Sequence, residues 1–181
     1  GNNEVILTRD SKSPSLRSDQ RTETANEKNA QIFISLQCGN LFSTTVSRAA
    51  VYFMNPALDS PATAAAASPP AGEAPRWDTA YLGQVPESLR LAREIHQRLD
   101  AFYKNANIIK MDSNPRPGRL AVLRGLTMPG VVIELGNLAH DLTAQYLARE
   151  RVQTEIADEL SMAITKFIYE RAGGPTAPGV H

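Results

Sequence analysis

Glu134 is the side chain of this protein best placed to do chemistry. It follows the apolar run Met128-Pro129-Gly130-Val131-Val132-Ile133 and opens the stretch Glu134-Leu135-Gly136-Asn137-Leu138-Ala139-His140. A short continuous apolar run reads as a strand buried on both faces, and Glu134 stands where that strand leaves the sheet. Open α/β sheets bind ligands beyond the carboxyl ends of their strands. A carboxylate at such a point suits general acid and base work; the alternatives are a cap on the next helix or an ion pair with an arginine.

Other reactive side chains are few. Cys38 is the only cysteine, which excludes an internal disulfide and a thiolate zinc cluster. With Ile34, Leu36 and Gly39 around it, Cys38 reads as a small buried filler and not a reactive thiol. His96 falls beside the apolar stripe of a helix, and no second histidine or carboxylate at matching spacing points the same way. It is expected to be a partly exposed helix residue. Trp77, at the start of that helix, is expected to anchor it to the core and not to stack on a sugar.

The elements that must position Glu134 follow from periodicity. Glu4 to Thr8 reads as a strand, Ser18 to Ala30 as a helix capped by Ser18 or Asp19, and Gln31 to Gln37 as a strand whose core, Ile32 to Leu36, is too apolar for an edge. Ala49 to Met54 is a third strand. Residues 55–75 then hold Pro56, Pro61, Pro69, Pro70 and Pro75 with an alanine run, which reads as a mobile surface loop within one domain. Leu89, Ala92, Ile95, Leu99 and Phe102 recur at helical spacing and predict a helix from Glu87 to Tyr103. Further strands are expected at Ile108-Ile109, at Leu120 to Leu123 and up to Ile133, with helices over Asp141 to Arg149 and Val152 to Glu170. The expected architecture is an α/β three-layer sandwich, a mixed or mainly parallel sheet flanked by helices, forming one domain over residues 1–172 with a disordered tail at 173–181.

Composition narrows the function. A chain of 181 residues with 42% hydrophobic content can bury one sizeable core. Nineteen basic residues balance nineteen acidic ones, so no global field draws it to nucleic acid or to an anionic membrane. No apolar run reaches the ~20 residues of a membrane-spanning helix, and the N-terminus lacks a secretory-signal layout, which leaves export open because the sequence starts at Gly1.

Several segments together resemble the zinc-dependent N-acetylmuramoyl-L-alanine amidases of bacterial cell-wall turnover. In order they are Val5-Ile6-Leu7-Thr8-Arg9-Asp10, Leu16 and Arg21 with Ala25-Asn26, Ile32-Phe33-Ile34-Ser35-Leu36, Trp77-Asp78 with the helix from Ser88 to Leu99, Leu120-Ala121-Val122-Leu123-Arg124, and Met128 through Leu138. The resemblance implies a hydrolase of the amide between the lactyl group of N-acetylmuramic acid and L-alanine, acting in the periplasm or outside the cell. It also implies one zinc held by two histidines and a glutamate, with Glu134 as the acid/base carboxylate. Zinc lowers the pKa of bound water and polarises the carbonyl.

The sequence departs from the family at the metal. Where the strand normally ends Ser-Ile-His, it ends Ser35-Leu36-Gln37, and a neutral carboxamide is a poor zinc ligand. The other two ligands belong to an opening strand and helix that would precede Glu4, so the expectation is a truncated, degenerate amidase fold with its first strand missing and no metal of its own. His140 stands where the family often has asparagine, a residue suited to a helix N-cap, and is expected to be part of a structural turn, not to replace a ligand. Arg9 and Arg21 are expected to form salt bridges. An uncovered sheet edge would favour a homodimer or repair by the N-terminal residues. Three readings stay open: a cell-wall amidase fold lacking its opening segment, an inactive amidase-like domain that still meets peptidoglycan or muropeptides, and a non-catalytic peptidoglycan-binding or protein-interaction domain.

Overall fold

The computed structural model describes residues 4–9, 15–39, 47–55 and 80–174. The proline-rich loop, Trp77 and most of the expected tail lie outside them. The elements are α1 (Ser18–Glu27), β1 (Phe33–Gly39), β2 (Arg48–Met54), α2 (Val85–Ala106), β3 (Lys110–Met111), β4 (Arg116–Gly118), β5 (Gly130–Asn137), α3 (Asp141–Leu147) and α4 (Glu150–Arg171), with short 3-10 turns at Ala80–Gln84 and Ala121–Leu123.

β5 is the axis of the sheet. It pairs in parallel with β1 on one side and antiparallel with β2 on the other, and β2 pairs in parallel with both β3 and β4. The sheet is therefore mixed, with helices on both faces. Val131, Val132 and Ile133 are at most 1% exposed, the burial on both faces that the apolar run requires.

Alternation along the strands splits the core in two. Val131, Ile133, Ala49, Val51 and Phe53 face Leu91, Ile95 and Leu99 of α2 and Ile156, Leu160 and Phe167 of α4. Phe33, Val132 and Met54 face Ala25 of α1 and Leu123, Leu126 and Met128 of the loops before β5. α2 begins with a proline in its first turn and ends at Asn107, whose left-handed backbone (φ 52°) lets its N–H bond Tyr103 O at 2.9 Å. Each fully buried leucine or isoleucine contributes about 2 kcal/mol. Arg90 lies over the Phe167 ring at 4.9 Å, and Lys166 meets Glu94 at 2.7 Å, joining α2 to α4.

Four expectations change. Val5, Ile6 and Leu7 form no strand; they are exposed and join no ladder among the described residues, and a short β-prone run without a partner edge does not hold a strand. β1, expected inside the sheet, is the outermost strand of the described sheet: its apolar residues are explained by face packing, since Phe33 is buried while Leu36 is 55% exposed. Leu120 to Leu123 makes a 3-10 turn in place of a strand, closed by Leu123 N–H to Leu120 O and Arg124 N–H to Ala121 O. The short strand foreseen at Ile108-Ile109 starts two residues later, at Lys110.

Gly136 fixes how tightly the end of β5 meets α3. Its φ of +155° suits glycine, and an added Cβ would lie 2.8 Å from Thr143 Cγ2 and 3.2 Å from the Cδ1 atoms of Ile109 and Leu147. Gly136→Ala is expected to destabilise the fold by about 2 kcal/mol, read as a lower urea midpoint with an unchanged slope; an unaltered midpoint would show that this contact does not limit packing.

Candidate functional site

Glu134 lies within β5 and not where the strand leaves the sheet as expected: the strand runs on to Asn137, and Glu134 and Leu135 form a partly exposed stretch between buried residues. Parallel register sets Gln37 of β1 beside it, and antiparallel register sets Ala50 of β2 on its other side. Gln37 Nε2 donates to Glu134 Oε1 at 3.3 Å, and the Tyr52 hydroxyl donates to Glu134 Oε2 at 2.9 Å. Among the described residues the carboxylate thus neither caps a helix nor pairs with an arginine. Two neutral donors hold it, one per oxygen. Tyr52 gives no sequence signal beyond its place two residues before the end of an apolar strand, and only the β2–β5 register brings it here.

The neighbouring strands are held by charge. Asp112, whose side chain is 5% exposed, pairs with Arg48 at 2.9 Å and with Arg116. Its backbone N–H donates to Ala49 O at 3.0 Å, so this buried carboxylate ties β3 and β4 to β2. On the other flank, Asn26 of α1 donates to Gly125 O at 2.8 Å and accepts from the Thr127 N–H and hydroxyl, each at 3.1 Å. These bonds fix the loop that feeds β5, and so the position of Glu134.

The other residues singled out by sequence fall away from Glu134. His140, expected in a structural turn, is the N-cap of α3, its Nδ1 accepting from Thr143 N–H at 3.3 Å. It also lines a cleft of about 780 Å³ with Ser47, Tyr103, Lys104, Asn107 and Lys110, a cleft that includes neither Gln37 nor Glu134. His96 Nε2 lies 2.6 Å from Asp112 O, a structural contact. Arg21 donates through Nε to Leu16 O at 3.0 Å, so its bond is to backbone and not to the expected carboxylate. Cys38 is exposed, not buried as expected, because cover fades along β1 and leaves Leu36, Gln37 and Cys38 all exposed; partial shielding pushes its thiol pKa up, away from reactivity. Among the described residues no three histidine, cysteine, aspartate or glutamate side chains converge on a metal site, and the residues around Glu134 do not fit zinc.

Loss of surrounding water, and then the bond to Glu134, push the Tyr52 pKa from 10 up to about 12. A raised folded-state pKa gives stability that is complete below pH 10 and is lost as pH climbs toward 12. In a tyrosinate absorbance titration, Tyr52→Phe should remove a component ionising near pH 12, and Glu134→Gln should move that component toward 10. A Tyr52 contribution already ionising near 10 in the unsubstituted protein would contradict the bond.

Known proteins agree on this architecture. The catalytic domain of CwlV, an N-acetylmuramoyl-L-alanine amidase from Bacillus (Paenibacillus) polymyxa var. colistinus, superposes with a TM-score of 0.58 at 21% identity over 91% of this chain and 72% of its own. An N-acetylmuramoyl-L-alanine amidase from Clostridium difficile 630 gives a TM-score of 0.67 at 17% identity, over 91% of this chain and 72% of that one. AmiC2 of Nostoc punctiforme, another such amidase, gives 0.62 at 21% identity, over 90% and 71%. At these identities the likeness establishes the fold. No curated protein matches the sequence. Residues 1–166 match the Amidase_3 family, described as N-acetylmuramoyl-L-alanine amidase, and with a mixed sheet flanked by helices that carries Glu134 on its central strand, the chain belongs to that family.

Proposed function

We propose that this is an N-acetylmuramoyl-L-alanine amidase-like domain of peptidoglycan turnover that meets muropeptides and, in this form, does not cleave them. The observation that carries the reading is Gln37 bonded to Glu134 at 3.3 Å, where the family resemblance calls for a zinc-binding imidazole. Beside imidazole a carboxamide oxygen is a weak zinc donor, and among the described residues no three histidine, cysteine, aspartate or glutamate side chains come together to hold a metal.

Glu134 holds the position of the family's acid/base carboxylate. Without an activated water within reach it has no proton to take, so its role here is to accept hydrogen bonds from a bound ligand. Peptidoglycan places the domain in the periplasm or outside the cell. The exposed edge of β1 fits a homodimer, a state that a single monomeric species in sedimentation at every concentration would exclude.

The purified chain, given zinc and then dialysed, is expected to hold far less than one zinc per molecule by elemental analysis. It should release no stem peptide from purified sacculi while still co-sedimenting with them. One tightly held zinc per chain together with peptide release would overturn the inactive reading, and a failure to co-sediment would remove the peptidoglycan assignment.

A further inference from the structure

We propose that the cleft at the C-terminal end of α2 is a binding site for a small monocarboxylate, held by Lys110 and by the His140 ring. The cleft, about 780 Å³, lies among α2, β3, Ser47 and His140, and that volume suits a small molecule. Neither Gln37 nor Glu134 lines it, so binding here does not depend on the peptidoglycan reading.

Hydrogen bonding fixes how His140 meets the cleft. Its Nδ1 accepts from the Thr143 N–H at 3.3 Å, so the proton of the neutral ring sits on Nε2. Thr143 is fully buried, and its hydroxyl lies 3.0 Å from the same Nδ1 and is also bonded to the Ser47 hydroxyl, which holds the ring in place. The Nε2–H meets no partner among the described residues and is the donor the ring has left to offer.

Three charged side chains line the cleft. Lys104 pairs with Asp100 at 2.6 Å, so those two charges offset each other. Lys110, the first residue of β3, has no ion pair among the described residues and leaves one surplus positive charge. At the end of α2 the Tyr103 carbonyl already accepts the Asn107 N–H at 2.9 Å. Ile109 and Met111 give the cleft a buried apolar floor, and a wall of low dielectric strengthens the pull of Lys110. One ammonium and one neutral N–H answer the two oxygens of a carboxylate. A phosphate dianion would leave a charge unmatched, and a cation would be repelled by Lys110.

N-acetylglycine carries the carboxylate, and N-acetylglycinamide has nearly the same shape without the charge. Each of these, and inorganic phosphate, would be titrated at constant ionic strength into the 15N-labelled protein, following the backbone amide signals of positions 110 and 143. The same titrations would be run on Lys110→Met and His140→Asn. Lys110 is exposed, and asparagine is a good N-cap that keeps α3 while removing the ring; melting curves check both folds.

N-acetylglycine is expected to shift both signals along a saturating curve, and each variant should bind it about tenfold more weakly. N-acetylglycinamide should leave the signals unmoved. In the unsubstituted protein alone, no response to N-acetylglycine, a response that does not saturate, equal binding of the amide or tighter binding of phosphate would each overturn the proposal. Unchanged affinity for N-acetylglycine in a variant that melts with the parent would overturn it too.

Discussion

A carboxylate within a strand whose preceding residues are buried on both faces has to be satisfied where it stands, and the rest of this site follows from that need. Val131, Val132 and Ile133 are sealed between helices, so β5 cannot rotate Glu134 into open water without giving up its core. The adjacent strands supply the donors. Gln37 arrives by parallel register and Tyr52 by antiparallel register, and each takes one oxygen. A half-buried charge with both oxygens bonded to neutral donors is held without an ion pair among the described residues.

The surrounding charges follow the same logic at a distance. Asp112 is more deeply buried than Glu134 and takes two arginines, Arg48 and Arg116. Those guanidiniums tie β2 to β3 and β4, and they are committed to Asp112 in place of Glu134. Asn26 performs the equivalent service on the α1 side with neutral hydrogen bonds. The result is a frame of hydrogen bonds and ion pairs that fixes the strands around a partly exposed carboxylate.

Much of this was legible in the sequence because the governing patterns are local. Helical spacing found α2 and α4, and the apolar run before Glu134 found β5 together with the point where it opens. His140 read as structural and proves to be a cap, since capping depends on residues three apart. The errors came where partners decide the outcome. Val5 to Leu7 has strand residues and no ladder among the described residues, Ile32 to Leu36 has core-like residues on an outer strand, and Leu120 to Leu123 turns because Gly118 and Gly125 bracket it more strongly than its aliphatics extend it. Tyr52 was invisible for the same reason, since its role exists only through the pairing of β2 with β5.

The bonds that assemble the site have a common feature. Gln37 to Glu134 spans 97 positions along the chain, Asn26 to Gly125 spans 99, and Thr22 to Val122 spans 100. Joining points so far apart carries the entropy of closing a long loop, and such closures come late in folding. Helices α2 and α4 can form on their own local contacts well before then, so a half-folded chain has much of its helix and none of its binding geometry. Competence at Glu134 therefore reports that the whole domain has closed, and a chain cut anywhere between α1 and β5 depends on both fragments staying docked to keep it.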